Sequence, residues 1–145
     1  KMKPKIKFFL IFGLIILSLT VYGYFKSVPG VENETAARPQ IAIAPTSFDF
    51  GTINYGQTVE YSFKLKNIGQ EVLEIKRVAT SCSCTTAKVL KEVIAPGEET
   101  ELQVTYNTSA MSGPHGLGYQ ERIIYVKSSD PVNPQVETMV KAYVQ

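Results

Sequence analysis

The chain has 145 residues, of which 44% are hydrophobic and 19% are charged. A chain of this length and composition can bury one ordinary hydrophobic core, which argues against an intrinsically disordered protein. Its formal net charge of +2 depends on four lysines, at positions 1, 3, 5 and 7. The rest of the chain holds eleven basic and thirteen acidic residues. This mildly acidic balance does not indicate a nucleic-acid-binding protein, so we expect no nucleic acid among its partners.

Residues 8–25, FFLIFGLIILSLTVYGYF, form an uncharged apolar run. As a helix rising about 1.5 Å per residue, this run would be about 27 Å long, close to the thickness of a hydrocarbon core. The lysines lie only on its N-terminal side, and the positive-inside rule then places the N-terminus in the cytoplasm and the remainder outside. Residues 1–25 therefore indicate a single-pass transmembrane anchor or a cleaved secretory signal. We expect the anchor to be retained, because no A-x-A cleavage site and no lipobox cysteine follows.

Residues 26–40, KSVPGVENETAARPQ, carry two prolines, two acidic residues and no apolar periodicity. This composition indicates a linker that holds the following domain away from the membrane. Whether the leader is retained or cleaved, we expect residues 26–145 to be exported.

Apolar and polar residues alternate in short runs from residue 41 onward, which is the pattern of half-buried β-strands. In chain order, the predicted strands are residues 41–44 and 48–53, split by Pro45, then 59–65, 73–78, 101–106, 119–128 and 136–144. The strand at 73–78 changes phase between Ile75 and Val78. In 119–128, either Ile124 and Val126 or Ile123 and Tyr125 face inward. The residues with the cleanest alternation, which we expect to be buried, are Tyr61, Phe63, Leu65, Leu102 and Val104.

Turn signals separate these runs at Asn54-Tyr55-Gly56, Asn67-Ile68-Gly69, Ala95-Pro96-Gly97 and Asp130-Pro131. Pro96-Gly97 suits the centre of a type II turn, because proline fixes φ and glycine accepts a positive φ. No ten-residue helical pattern occurs after residue 40. About seven short strands with this spacing predict an all-β fold, an antiparallel β-sandwich over residues 41–145.

Several motifs follow one another in a characteristic order: FDFGTI, a Gly56-Gln57 pair before a strand that ends in KNIG, then LEIKRVATSCSCT, IAPGEETELQVTY and a closing strand pair. This order resembles the bacterial domain of unknown function fifteen seventy-three (DUF1573), which is similar to the ASPM/Hydin-type immunoglobulin-like domains. The resemblance covers roughly residues 45–145. It implies an exported Ig-like sandwich and no established activity. From the orientation of the predicted anchor, we expect the domain to lie in the periplasm or outside the cell, attached to the bacterial inner membrane.

Cys82 and Cys84 are the two cysteines of the chain and lie in the segment TSCSCTT. In an extended strand their Cα atoms would be about 6.6 Å apart on one face, near the upper limit for a disulfide, and a turn would shorten that distance. Two thiolates on one face also begin a copper or zinc site, which Met111 and His115 from another loop would have to complete. A disulfide, a pair of packed thiols, a labile redox pair and a metal site remain open alternatives.

Signals for catalysis are weak, because the chain has a single histidine and no nucleophile motif surrounds it. We therefore expect a protein that is not an enzyme. The sequence favours a membrane-anchored, extracytoplasmic Ig-like protein-interaction domain, an accessory or structural subunit of a membrane protein complex. Its expected partners are membrane lipid, through residues 8–25, and other membrane or envelope proteins. The alternative is a metal-handling (copper or zinc) or thiol-redox protein that uses Cys82 and Cys84.

Overall fold

The structure is a computed structural model that divides into two compact units, Lys1–Thr35 and Ala36–Gln145. It describes residues 14, 16–20, 22, 37–111 and 116–145. The described residues of the first unit are helical. Among all described residues, no helix combines the length and the apolar character that a membrane span requires. Most of the predicted anchor, residues 8–25, and the linker as far as residue 36 lie outside the described residues.

The second unit is a sandwich of two β-sheets. Its strands are β1 (Ile41–Ala44), β2 (Ser47–Ile53), β3 (Thr58–Asn67), β4 (Leu73–Thr80), β5 (Thr85–Val89), β6 (Val93–Ile94), β7 (Glu99–Asn107), β8 (Gly118–Ser128) and β9 (Gln135–Val144). One sheet has the strand order β1-β3-β7-β5 and the other the order β2-β9-β8-β4-β6. A 3-10 turn, Thr108–Ala110, follows β7.

The all-β sandwich agrees with the sequence prediction, but two of its details were wrong. The described residues form nine strands rather than about seven, because β5 and β6 were missed. β6 has only two residues, and β5 lies at a sheet edge where its apolar side chains are only half-buried, so neither shows a clear alternation. The sandwich is also not wholly antiparallel, since β2 pairs in parallel with β9.

The core lies between the two sheets and follows the predicted alternation. Phe63, Leu65, Leu102 and Val104 are buried, whereas Tyr61 is half-buried and stacks on the Phe48 ring with 3.6 Å between ring centroids. In β8, the alternative with Ile124 and Val126 inward is the observed one. The predicted change of phase in β4 is a register shift between Ile75 and Arg77.

Two connections show how local sequence sets the ends of strands. At the Pro96-Gly97 turn, Gly97 has a φ of +77°, and the Glu98 N–H donates to the Ala95 carbonyl at 3.0 Å, as a type II turn requires. The first strand is indeed split at Pro45, and its halves β1 and β2 join different sheets.

A second cluster of buried residues packs apart from the main core. It consists of Ile53, Cys84, Tyr106, Ala142 and Val144, with Phe50, Val59, Cys82 and Met111 packed against it. The cysteine segment is therefore built into an apolar cluster and does not extend freely into solvent.

Candidate functional site: the disulfide turn and the groove between β4 and β5

The disulfide turn, defined here as Thr80–Thr85, connects β4 to β5. Cys82 and Cys84 are joined by a disulfide with their Cα atoms 5.3 Å apart, closer than an extended strand would hold them, because the chain turns between them. The two sulfur-bearing residues differ in accessibility. Cys84 is 2% exposed, whereas Cys82 is half-buried and has exposed serines, Ser81 and Ser83, on either side.

Hydroxyl groups hold the backbone of this turn independently of the sulfur–sulfur bond. The Thr80 hydroxyl lies 3.0 Å from the Cys82 carbonyl and 2.8 Å from the Thr85 carbonyl. Ser81 bonds twice to Ile123 on β8: its N–H donates to the Ile123 carbonyl, and its Oγ accepts from the Ile123 N–H at 3.0 Å. The run of small hydroxylated residues thus shapes the turn, because short polar side chains reach nearby backbone groups.

A guanidinium group lies against the buried end of the disulfide. The Arg122 Nε–H donates to Cys84 Sγ at 3.1 Å, and the Arg122 Cζ stands 5.5 Å from the centre of the Tyr106 ring. Nη2 donates to Met111 Sδ at 3.2 Å and also contacts Gln120 Oε1, while Nη1 donates to the Glu121 carbonyl at 2.8 Å. These contacts fix the plane of the guanidinium and direct Nε at the sulfur.

The four residues predicted as metal ligands are only partly brought together. Cys82, Cys84 and Met111 lie in one cluster, and His115 falls outside the described residues. Among the described residues, no group of three or more His, Cys, Asp or Glu side chains converges. A copper or zinc site stays a prediction for the reduced protein, because a disulfide has no thiolate to bind a metal. The positive charge of Arg122 beside Cys84 would oppose a bound cation there.

Arg122 was not among the residues predicted from sequence, and neither was Thr80. Arg122 is 38 positions from Cys84 and reaches it because β8 pairs with β4, Thr80 opposite Ile124. The sequence signal for Arg122 was its position on β8: this charged residue lies in the same alternation phase as the inward-facing Ile124 and Val126.

A groove of about 190 Å³ lies between β4 of one sheet and β5 of the other. Its β4 side is formed by Ile75–Val78, and its other side by Ala87, Lys88, Val89 and Glu92. β5 is the last strand of its sheet, and β6 pairs with β4 only at Leu73 and Glu74. β5 therefore has an edge that no described strand covers, whereas β4 is uncovered only beyond Ile75, whose N–H bonds to the Glu92 carbonyl.

The groove has an apolar floor and a mainly basic rim. Val78, Ala87 and Val89 are half-buried along it. Three basic side chains, Lys76, Arg77 and Lys88, are exposed on its rim together with one acidic side chain, Glu92. A wider hollow of about 400 Å³ opens across the neighbouring face of β3, β7 and β5 and shares Ala87 and Lys88 with the groove.

Four carboxyl and amino groups in the described residues have displaced pKa values, and all lie away from the groove walls. A hydrogen bond from Lys91 lowers the pKa of Glu98, one from Lys66 lowers the pKa of Glu99, and one to Glu121 raises the pKa of Lys141. These are ion pairs at the protein surface. Asp130 is different: burial raises the pKa of its carboxyl, but N–H donors from Asn133, Val132 and Ile41 outweigh this and lower it.

The β-sandwich unit matches a known protein family. The model of a family described as a protein of unknown function (DUF1573) matches residues 41–144. No match was found among curated proteins.

A protein of unknown function from Porphyromonas gingivalis W83 has a similar structure, with a TM-score of 0.66, 25% sequence identity, and coverage of 79% of this chain and 51% of that one. The chain thus spans about half the length of that relative.

Two further solved structures share the fold. The ASH/PapD-like domain of human CEP192 (PapD-like domain 7) has a TM-score of 0.57 and 12% identity, covering 75% of this chain and 87% of that one. SSP-19, an MSP-domain protein like family member in Caenorhabditis elegans, has a TM-score of 0.51 and 14% identity, covering 70% of this chain and 98% of that one. At such identities the likeness concerns the fold alone.

Proposed function

The chain belongs to DUF1573, a family of proteins of unknown function, and we propose that its β-sandwich is a protein-interaction domain that binds an extended, acidic segment of another envelope protein. The observation that carries this proposal is the groove between β4 and β5, where the open edge of β5 faces the residues of β4 that lie beyond its short pairing with β6. An extended segment can add to such an edge as a new strand, with main-chain hydrogen bonds giving affinity and side-chain contacts giving specificity.

The backbone of β5 has free positions for such a strand. The Leu90 N–H bonds to the Glu101 carbonyl, and the Asn107 N–H bonds to the Cys84 carbonyl. In this antiparallel register, alternate residues of β5 face β7, so the N–H and C=O groups of Ala87 and Val89 point to the open side. A partner strand would bond to these two residues.

The charge on the groove rim favours an acidic partner. Lys76, Arg77 and Lys88 outnumber the single Glu92, so the rim is positive although the exported part of the chain is mildly acidic overall. Acidic side chains on a docked strand would meet these three cations, and electrostatic complementarity of this kind mainly sets specificity and association rate. We propose binding without catalysis at this groove.

We further propose that residues 8–25 anchor the protein in the lipid of the bacterial inner membrane and hold the domain in the periplasm or outside the cell, as an accessory subunit of a membrane complex. The lysines on the N-terminal side of the apolar run support this orientation. The Cys82–Cys84 disulfide also supports it, because disulfides persist mainly outside the cytoplasm. The intact mass of protein extracted from membranes tests retention of the anchor; a mature chain beginning near Tyr24 would identify a cleaved signal instead.

Site-specific photo-crosslinking in native membranes tests the groove. A photoreactive residue replaces Leu90, which is 58% exposed and directly follows β5, and the matched control replaces Val132, which is 56% exposed in the β8–β9 connection. We expect a discrete adduct with an envelope protein from position 90 and none from position 132.

Two variants then examine the docking mode. Ala87→Pro removes an outward N–H from an edge strand, a position at which proline is tolerated. Lys88→Glu reverses one rim charge. Each should reduce the adduct by about tenfold, a change of about 1.4 kcal/mol, while the melting temperature of the domain stays near that of the unsubstituted protein. Equal adducts from positions 90 and 132, or adducts unaffected by both substitutions, would refute docking at this groove.

A further inference from the structure

We propose that the Cys82–Cys84 disulfide is a thiol–disulfide exchange site that oxidises a dithiol of another protein, with Arg122 stabilising the thiolate that leaves from Cys84. This inference is independent of the groove, since it depends on the sulfur atoms and the residues that contact them. Three features carry it: the unequal exposure of the two cysteines, the guanidinium at the buried sulfur, and the hydroxyl bonds that hold the turn.

Unequal exposure decides which sulfur an incoming thiolate attacks. Cys84 is buried, and Cys82 is half-buried between two exposed serines, so a thiolate from solvent reaches Cys82. Attack at Cys82 Sγ makes Cys84 Sγ the leaving group. The rate of exchange rises when the leaving thiolate is more stable, so the surroundings of Cys84 control the reaction.

Arg122 provides that stabilisation at Cys84. Its Nε–H already points at Cys84 Sγ over 3.1 Å, and its other nitrogens are held by Gln120, Met111 and the Glu121 carbonyl. When the sulfur becomes a thiolate, this contact changes from a weak hydrogen bond to a charge-assisted one. A nearby arginine favours a thiolate over a thiol, and the apolar neighbours of Cys84 strengthen the attraction because they exclude water.

The proposed exchange balances atoms and electrons. A thiolate of the partner attacks Cys82 Sγ, a new sulfur–sulfur bond forms, and the Cys82–Cys84 bond breaks with its electron pair on Cys84 Sγ. A second thiolate of the same partner then attacks the partner's sulfur in the mixed disulfide and expels the Cys82 thiolate. The partner dithiol loses two electrons and becomes a disulfide, and the Cys82–Cys84 pair gains those electrons; protons released from the partner thiols pass to solvent or to the reduced pair.

The turn can keep its shape after this reduction. The bonds from Thr80 to the carbonyls of Cys82 and Thr85, and those between Ser81 and Ile123, do not involve the sulfurs. A bridge between residues two apart also restrains very little of the unfolded chain, so it contributes little as a structural staple. The reduced cysteines therefore stay close together.

The test measures how easily the disulfide is reduced in the full chain, purified in mild detergent. The protein is equilibrated anaerobically in glutathione buffers of defined ratio, the thiols are alkylated, and mass spectrometry gives the reduced fraction and the rate of reduction. Arg122→Gln removes the charge, Arg122→Lys retains it, and Arg38→Gln is a matched control, because Arg38 is an exposed arginine that precedes β1.

We expect Arg122→Gln to make the disulfide about tenfold harder to reduce, which corresponds to a reduction potential about 30 mV more negative for a two-electron couple. The rate of reduction by glutathione should fall by a similar factor. Arg122→Lys should recover part of both changes, and Arg38→Gln should match the unsubstituted protein. Circular dichroism melts of all four proteins separate this effect from a loss of folding.

Three results would overturn the proposal. One is a disulfide that glutathione reduces only under conditions that also unfold the protein. A second is equal rates and potentials for the unsubstituted protein and Arg122→Gln. The third is a lower melting temperature for Arg122→Gln with its potential unchanged, which would make Arg122 a purely structural contact.

Discussion

Asn67 is a buried polar residue whose side chain joins three parts of the domain. It ends β3 and is 0% exposed. Its Oδ1 accepts hydrogen bonds from the backbone N–H groups of Gly69 at 3.0 Å and Gln40 at 3.3 Å. Its Nδ2 donates to the carbonyls of Glu71 at 2.7 Å and Ile94 at 3.0 Å. One amide thus links the turn after β3 to the chain entering β1 and to β6.

Asn67→Ala should therefore destabilise the domain strongly. The substitution leaves four backbone groups without their partner. The Ile94 carbonyl is buried and would lose its bond at a cost of about 1–3 kcal/mol, and the other three, which are partly accessible to water, would lose about 0.5–1.5 kcal/mol each. The expected total is about 2.5–7.5 kcal/mol, a large part of the 5–15 kcal/mol by which domains are typically stable. Asn67→Asp should cost at least as much, because it loses both donors and buries a charge.

Urea denaturation of residues 36–145 measures this loss. The chain contains no tryptophan, so far-ultraviolet circular dichroism follows unfolding. Asn133→Ala is the matched control, since Asn133 is exposed in the β8–β9 connection, and it should change the free energy of unfolding by less than about 0.5 kcal/mol. If Asn67→Ala costs less than about 1 kcal/mol, or no more than Asn133→Ala, the side chain does not join these segments as described.

Two further predictions concern the core and the response to acid. Phe63→Ala should lower the free energy of unfolding by about 3–5 kcal/mol, because the ring is fully buried; Val72→Ala, at an exposed position, serves as control in the same urea assay, and similar losses for both would contradict the burial of Phe63. The lowered pKa of Asp130 means that its carboxylate contributes stability above about pH 4, which is lost as pH falls through the folded-state pKa. Urea midpoints between pH 7 and pH 3 should therefore fall less for Asp130→Asn than for the unsubstituted protein, and parallel pH profiles would count against this role.

Strand alternation was sufficient to predict most of the sandwich. Long strands with one face in the core, such as β3, β7 and β9, carry apolar residues at most of their alternate positions, and this pattern can be read without knowledge of the partner strands. It fails at β5 and β6, which are short and lie at sheet edges. Pairing direction is also not contained in the alternation, because parallel and antiparallel strands share the same period; hence the parallel β2–β9 pair was missed.

The groove between β4 and β5 could not have been predicted from its own residues. Lys76, Arg77 and Lys88 look like ordinary solvent-facing charges in a linear sequence. They form one rim only because β4 and β5 belong to different sheets, and because β4 ends and β5 begins at the disulfide turn. Topology, and not residue type, creates this site.

The candidate redox site shows which sequence signal does point to function in such a fold. Within β3, Asn67 occupies the phase of Phe63 and Leu65, and within β8, Gln120 and Arg122 occupy the phase of Ile124 and Val126. A polar residue at a core-facing position costs free energy unless it finds partners, so it persists where the fold provides them. Asn67 finds four backbone groups, and Arg122 finds a disulfide, a thioether and an aromatic ring. A polar residue that interrupts the apolar phase of a strand therefore indicates a candidate site. The strand pairing is still needed to show that Arg122 contacts the disulfide turn.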